Sequence, residues 1–203
     1  MSNHETSQQW IEAGYELFAH EGPEGLQVEK LARILGRNKS GFYYHFGDRD
    51  IYFSDLIQYH YRIIEQFCRE VAECRNFDPD YLELLIEYKT SAFVQKQLRS
   101  HMDIPAFKEA FNKVRKRTEK VVLPLWRSYI GISENHALAA TLWDILRDLF
   151  FIRLTAENLS IQNLHELVEE FSVVVDRLKH LAQINDITPV IPFRNSGLRK
   201  QNP

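Results

Sequence analysis

Residues 28–50 read VEKLARILGRNKSGFYYHFGDRD and set out two short helices with a glycine turn between them. Val28, Leu31, Ala32 and Leu35 recur at i, i+3, i+4 and i+7, the period of a helix buried along one face. Gly36 stops that helix, because glycine takes the left-handed conformation just past a helix end without a Cβ clash. Asn38 then restarts the chain as an N-cap, its side-chain oxygen free for a first-turn N–H. Phe42 and Phe46, four apart, give the second helix one apolar stripe, and Gly47 ends it. This order and spacing is that of a helix-turn-helix.

With Phe42 and Phe46 turned inward at 100° per residue, Ser40, Tyr43 and Tyr44 point the other way, with Lys39 at the margin and Arg37 just before the helix. That face is polar, flat and partly cationic. Between residues 30 and 49, Lys30, Arg33, Arg37, Lys39 and Arg49 are opposed only by Asp48, whereas the preceding helix carries Glu5, Glu12, Glu16 and Glu21. A basic patch confined to the helix-turn-helix suits a polyanion, and the acidic helix behind it is expected to face away.

The segment GRNKSGFYYHFGDRD resembles the recognition segment of TetR/AcrR-type transcriptional regulators, whose pattern is roughly G-x-S-K-x-x-L/F-Y-x-H-F-x-x-K/R-D/E. It matches at Gly36, Lys39, Phe42, Tyr43, His45, Phe46, Arg49 and Asp50, with Asn38 in the place of the capping serine. Upstream, WIEAGYELFAHEGPEGLQVEKLARILG is similar to the first helix and the G-x-x-x-x-V-x-x-L/I-A-x-x-x-G run of the same family. The resemblance spans about residues 8 to 57. Beyond that, the chain is like the family only in length and helicity. Two positions depart from the pattern. Arg37 stands where the residue after the glycine is usually apolar, and Leu26 and Gln27 offer no hydroxyl where the second helix usually opens on Thr or Ser.

The resemblance implies an all-α protein, with an N-terminal three-helix DNA-binding domain and a C-terminal helical domain for ligand binding and dimerisation. The expected division is 1–50, 51–183 and a mobile tail over 184–203. Arg37, Lys39, Ser40, Gly41, Tyr43, Tyr44 and Arg49 are the candidate DNA contacts. Tyr43 and Arg49 suit phosphate, Ser40 and Tyr44 suit base edges, Lys39 suits guanine or phosphate, and Gly41 allows close backbone approach. His45, beside the Phe42/Phe46 stripe, reads as a structural histidine hydrogen-bonded to backbone. Arg33 and Lys30 read as solvated.

A chain of 203 residues can bury a substantial core. Its 44% hydrophobic and 26% charged content is that of an ordinary soluble protein, and its net charge of −3 leaves the local basic patch as the informative electrostatic feature. No stretch approaches 18 uncharged apolar residues and no apolar leader opens the chain, so a cytoplasmic protein with no membrane contact is expected. Cys68 and Cys74 lie in one predicted helix at a rise of roughly 9 Å, beyond disulfide reach, and are expected as free thiols.

Residues 1–7 are polar and expected to fray. Trp10, Gly14, Leu17 and Phe18 fall on one helical face ending at Gly22-Pro23, a helix placed to brace the helix-turn-helix. Asp48 caps a long helix in which Phe53, Leu56, Ile57, His60, Ile63, Ile64, Phe67 and Val71 keep the 3.6 period. That helix can act as a lever between the two domains. Asn76-Phe77-Asp78-Pro79 marks a turn, with Asp78 as N-cap and Pro79 first in a helix running through Leu98. Ile104-Pro105 starts another helix carrying Phe107, Phe111 and Val114. Its run of Lys113, Arg115, Lys116, Arg117 and Lys120 reads as a solvated face. Pro124 is expected to kink or interrupt it, and Gly131 to close it.

Residues 134–157 are apolar nearly all round, with Leu138, Leu142, Ile145, Leu149 and Ile152 in one stripe and Trp143, Leu146, Phe150 and Leu154 in another. Residues 160–183 repeat this, with Ile161, Leu164, Val168, Phe171, Val175 and Leu178 beside Leu167, Val174 and Leu181. One stripe docks a helix on its own core; two need two partners. A homodimer through residues 134–183, as a four-helix bundle about a two-fold axis, is therefore expected, and the resemblance implies the same. Tyr88, Phe107, Trp126, Tyr129 and Trp143 are the candidates to line a small-molecule pocket, though each also suits a core.

No G-x-G-x-x-G, P-loop, H-E-x-x-H, Cys/His cluster or G-x-S-x-G occurs, so neither a cofactor, a metal nor an enzyme is expected. A helical enzyme without a local motif and a helical protein-interaction adaptor are the alternatives. The adaptor accounts for the apolar helices but not for the localised basic helix-turn-helix. The expected function is a dimeric, ligand-responsive transcriptional regulator, most often a repressor in this family, that binds a palindromic double-stranded DNA operator and is released by an inducer.

Overall fold

In the computed structural model, which describes residues 3–132, 134–155 and 158–184, Trp10, Leu31 and Phe42 are fully buried. They fasten together α1 (Asn3–Gly25), α2 (Val28–Ile34) and α3 (Lys39–Phe46). The helix begins at Asn3 rather than fraying to residue 7, and Thr6, Ser7, Gln8 and Gln9 are half-buried against the fold. Gly22 leaves helical geometry at φ 69°, and Pro23 opens one last turn. Leu35 ends α2, and Gly36 follows at φ 62°. Asn38 occupies the N-cap position of α3 with an extended backbone, but its side chain makes no capping bond.

Helix α4 (Arg49–Glu73) starts where the Asp48 carboxylate accepts the Ile51 N–H at 2.8 Å. Its buried line runs Tyr52, Leu56, His60, Ile64, Phe67 and Val71. Phe53, Ile57 and Ile63, expected on that line, are half-buried beside it.

The expected single helix from Pro79 to Leu98 is broken. A π-helical turn (Phe77–Tyr81) leads into α5 (Leu82–Glu87), and Tyr88, at φ −93° and ψ 24°, separates it from α6 (Lys89–Ser100). Asp78 stays extended and does not cap; its carboxylate lies 3.1 Å from Nε2 of His165. Asp80 instead accepts the Arg75 and Asn76 N–H groups at 2.8 and 3.0 Å. Aromatic packing explains the distortion, since Phe77 stacks on Tyr81 at 4.9 Å and meets Trp126 at 5.2 Å, drawing the turn into the core.

Helix α7 (Pro105–Tyr129) passes through Pro124, so the interruption expected as one outcome there does not occur. Pro124 and Lys120, whose carbonyl loses its partner there, are both exposed, so water can satisfy that carbonyl. Gly131 follows at φ 62°. Much of the basic run on α7 is engaged within the chain. Lys113 sits over the Tyr61 ring at 4.0 Å, Arg115 pairs with Asp144 at 2.7 Å, and Arg117 pairs with Glu65 at 2.9 Å. Helices α8 (His136–Arg153) and α9 (Ile161–Ile184) complete the described chain. The tail expected from 184 lies, beyond Ile184 itself, outside the described residues, as does the side chain of Leu181.

Two apolar clusters fill the molecule. One gathers α1–α4 with Leu98, Phe107, Phe111 and Phe151; the other surrounds Trp126, Trp143 and Phe171. Phe18, Phe53 and Phe107 meet at 5.7–6.3 Å, so packing is continuous across residues 50 and 51. On α8, Trp143 and Leu146 are buried together with Leu142, as is Leu154 just past its end, while Leu138, Ile145 and Ile152 are exposed, Ile152 by 67%. On α9, Leu164, Leu167, Val168, Phe171 and Val175 are buried, and Val173, Val174 and Leu178 are exposed. Cys68 is buried and Cys74 half-buried, both as free thiols, and burial pushes the Cys68 thiol up to about 11. Among the described residues no helix is long and apolar enough to cross a membrane.

Candidate nucleic-acid interface

Helix α3 is fixed by its apolar side. Phe42 meets Trp10 edge-on at 5.7 Å, Phe46 at 5.2 Å and Tyr52 at 4.9 Å. Two of these rings come from other helices, Trp10 on α1 and Tyr52 on α4, and leave α3 little freedom to rotate. The opposite side is bare: Tyr43 is 51% and Tyr44 75% exposed, with Lys39 and Ser40 also exposed. Large aromatic side chains are rarely left so open on a short helix whose other face is closed.

The cations around α3 have partners within the chain. The Lys39 ammonium lies 2.6 Å from the Glu29 carboxylate, which this hydrogen bond holds below the usual carboxylate range. Arg37 donates to Gln9 Oε1 at 2.5 Å, so the residue in the family's apolar position clamps the turn to α1. Arg49 donates to the Leu26 carbonyl at 3.1 Å. Lys30 pairs with Glu21, so the acidic α1 does not simply face away. His45 is half-buried and packs against the rings of Tyr44 at 5.2 Å and Phe46 at 6.1 Å, in place of the expected backbone hydrogen bond. Gly41 has helical φ, and a Cβ there would meet only Trp10 Cζ2 at 3.7 Å. Glu29 escaped the sequence reading and Glu21 was expected to face away, because helix spacing does not tell which residue of one helix reaches the next.

A cavity opens among α4, α6, α7, α8 and α9, with about 100 Å³ of interior inside a cleft of about 850 Å³ that includes its mouth. Of the five pocket candidates, only Trp143 lines it. Phe107 lies in the first cluster. Trp126 is fully buried and donates from Nε1 to the Ala139 carbonyl at 3.1 Å. Tyr129 leans on Trp126 and is partly exposed. Tyr88 donates to Glu70 at 2.8 Å; burial first, then that carboxylate, push its phenol up to about 12. Gln95, Arg115 and Arg147, which line the cavity, carried no recognisable sequence signal.

Residues 11–51 match the model of the family described as bacterial regulatory proteins, tetR family. No curated protein matches the chain in sequence. A transcriptional regulator of the TetR/AcrR family from Aquifex aeolicus VF5 shares the fold with a TM-score of 0.55 and 19% identity, over 87% of this chain and 99% of that one. A Mesorhizobium loti MAFF303099 protein, provisionally described as a TetR-family transcriptional regulator, aligns with a TM-score of 0.53 and 18% identity, over 86% of this chain and 98% of that one. Residues 11–51 thus carry a helix-turn-helix of the tetR family type, and the all-helical fold of the chain is shared with these two structures.

Proposed function

We propose that the chain is a ligand-responsive repressor that binds a near-palindromic operator as a homodimer, with Arg37, Lys39, Ser40, Gly41, Tyr43, Tyr44 and Arg49 at the DNA. The observation that carries the reading is the division of α3 between a face locked by Phe42 and Phe46 and a face presenting Tyr43 and Tyr44 to solvent. In this reading residues 1–50 present the recognition helix, and residues 51–183 hold the effector cavity and the dimer face. The apolar side chains exposed on α8 and α9 support a two-fold four-helix interface, which places two α3 helices in successive major grooves about 34–36 Å apart. An interaction adaptor would use the same apolar faces but has no need of an outward tyrosine pair beside a basic turn.

Helix α4 offers the mechanical link. It begins at the end of α3 and, fifteen residues on, about 22 Å away, lines the cavity with Ile64 and Phe67. A ligand that favours one tilt of α4 changes the separation of the two α3 helices, by no more than its differential affinity for the two states. The test is a mobility shift on the DNA flanking the chain's own gene, with solution mass measured in parallel. With about six cationic phosphate contacts per dimer, log K is expected to fall against log salt with a slope near about −5. A mass of one chain at working concentration, or binding insensitive to salt, overturns the reading.

A further inference from the structure

The cavity is apolar over most of its wall, where Phe67, Trp143, Leu146 and Phe150 face it, but Arg115 and Arg147 also line it. The Arg147 side chain is only 12% exposed. Its Nη2 lies 2.7 Å from Asp144 Oδ1, while its Nε and Nη1 are buried without a hydrogen-bond partner. Arg115 donates from Nη2 to the other Asp144 oxygen at 2.7 Å, and its Nε is likewise buried and unpartnered. Asp148 lies 3.5 Å from Arg99 Nη2 and 4.0 Å from Arg147 Nη2. Two guanidiniums that line the cavity thus share the Asp144 carboxylate, whose buried Oδ1 itself accepts no hydrogen bond, and three of their N–H groups, Nε and Nη1 of Arg147 and Nε of Arg115, are left without acceptors. Buried donors without acceptors are costly, and a planar guanidinium fork suits a carboxylate. A neutral apolar guest would leave that cost in place, and a cationic one would add repulsion.

We propose that the effector of this protein is an apolar monocarboxylate, its hydrocarbon or aromatic body in the cavity and its carboxylate on the free N–H edges of Arg147 and Arg115. This deepens the ligand-responsive reading, on which it rests, by naming the chemical class of effector. The site differs from a merely greasy pocket in a checkable way, because affinity follows the charge of the head group at constant body.

The experiment uses the full chain and titration calorimetry with decanoate and 2-naphthoate against their neutral amides, decanamide and 2-naphthamide. At least one acid is expected to bind about tenfold or more tightly than its amide, and Arg147→Gln is expected to abolish that preference. Should Arg147→Gln fail to fold, Arg115→Gln, at a more exposed residue, is expected to reduce the preference on its own. Equal affinity for acid and amide, an unchanged preference in both variants, or no binding of either acid up to its solubility limit overturns the proposal. A mobility shift run alongside separates the two readings. An acid that binds through Arg147 yet leaves the DNA complex intact upholds the anion site and overturns induction, whereas DNA binding without any acid binding overturns the anion site alone.

Discussion

The Tyr15 hydroxyl lies 2.8 Å from Nδ1 of His60, joining α1 to α4 inside a site closed to solvent. Burial pushes the His60 imidazole down to about 3 from its ordinary value near 6.5, so it stays neutral in the folded chain. Below about pH 6.5 the unfolded chain takes up a proton that the folded chain refuses. The stabilisation is therefore whole above about pH 6.5 and lost progressively as pH falls toward about 3. Urea denaturation at pH 7 and pH 4.5 is expected to show His60→Leu starting less stable. Its further loss between the two pH values should be smaller than the parent's by about 2–3 kcal/mol. Equal losses in the two proteins would remove His60 from the acid response.

Gly14 on α1 packs closely against Tyr52 and Leu56 of α4. A Cβ there would fall 1.6 Å from the Tyr52 hydroxyl oxygen, and that hydroxyl donates to the Trp10 carbonyl at 2.9 Å. In an exposed helix, Gly→Ala gains about 1 kcal/mol from helix propensity. Here overpacking wins, and Gly14→Ala is expected to cost about 1–3 kcal/mol. Because both changes act on one contact, Gly14→Ala with Tyr52→Phe should cost less than the sum of the single variants in a double-mutant cycle. Simple additivity would mean the two residues do not press on each other.

In the proposed DNA complex the Glu29 carboxylate, 2.6 Å from the Lys39 ammonium, competes with phosphate or base for it. Removing the competing carboxylate frees the ammonium, so Glu29→Gln is expected to tighten DNA binding about two- to fivefold at low salt, the range of an exposed ion pair. The gain should shrink as salt shortens the screening length. Fluorescence anisotropy at two salt concentrations measures both effects. Weaker binding in Glu29→Gln would show that Glu29 orients Lys39 rather than holding it back.

The helix-turn-helix was legible because its information is local: Gly36, Phe42, Phe46 and Gly47 fix helix ends and one buried face through neighbours a few residues away. The exposure of Tyr43 and Tyr44 followed directly from that periodicity. What escaped depends on contacts between distant segments. The turn at Phe77 departs from a regular helix because Trp126 and Trp143 draw its rings inward. The cavity draws its polar lining from α6, α7 and α8, so no window of sequence brings Gln95, Arg115 and Arg147 together. Pro124 illustrates a third limit. A proline ends a helix less readily where the carbonyl it orphans is open to water, and exposure is a property of the fold.

Gly41 offers the sharpest separation of folding from DNA recognition. Its φ is not in the left-handed region, and a Cβ would make only ordinary contact with Trp10 at 3.7 Å, so the folded chain accepts alanine. Propensity then favours Gly41→Ala by up to about 1 kcal/mol. If the backbone at Gly41 lies against the duplex, the same methyl group obstructs it. Gly41→Ala is therefore expected to raise the melting temperature or leave it unchanged while weakening DNA binding by about tenfold or more. Tyr43→Phe should weaken binding to all sequences about equally, and Tyr44→Ala should shift base preference in a selection from random duplexes. Parent-like binding in all three variants would mean that this face of α3 does not touch DNA.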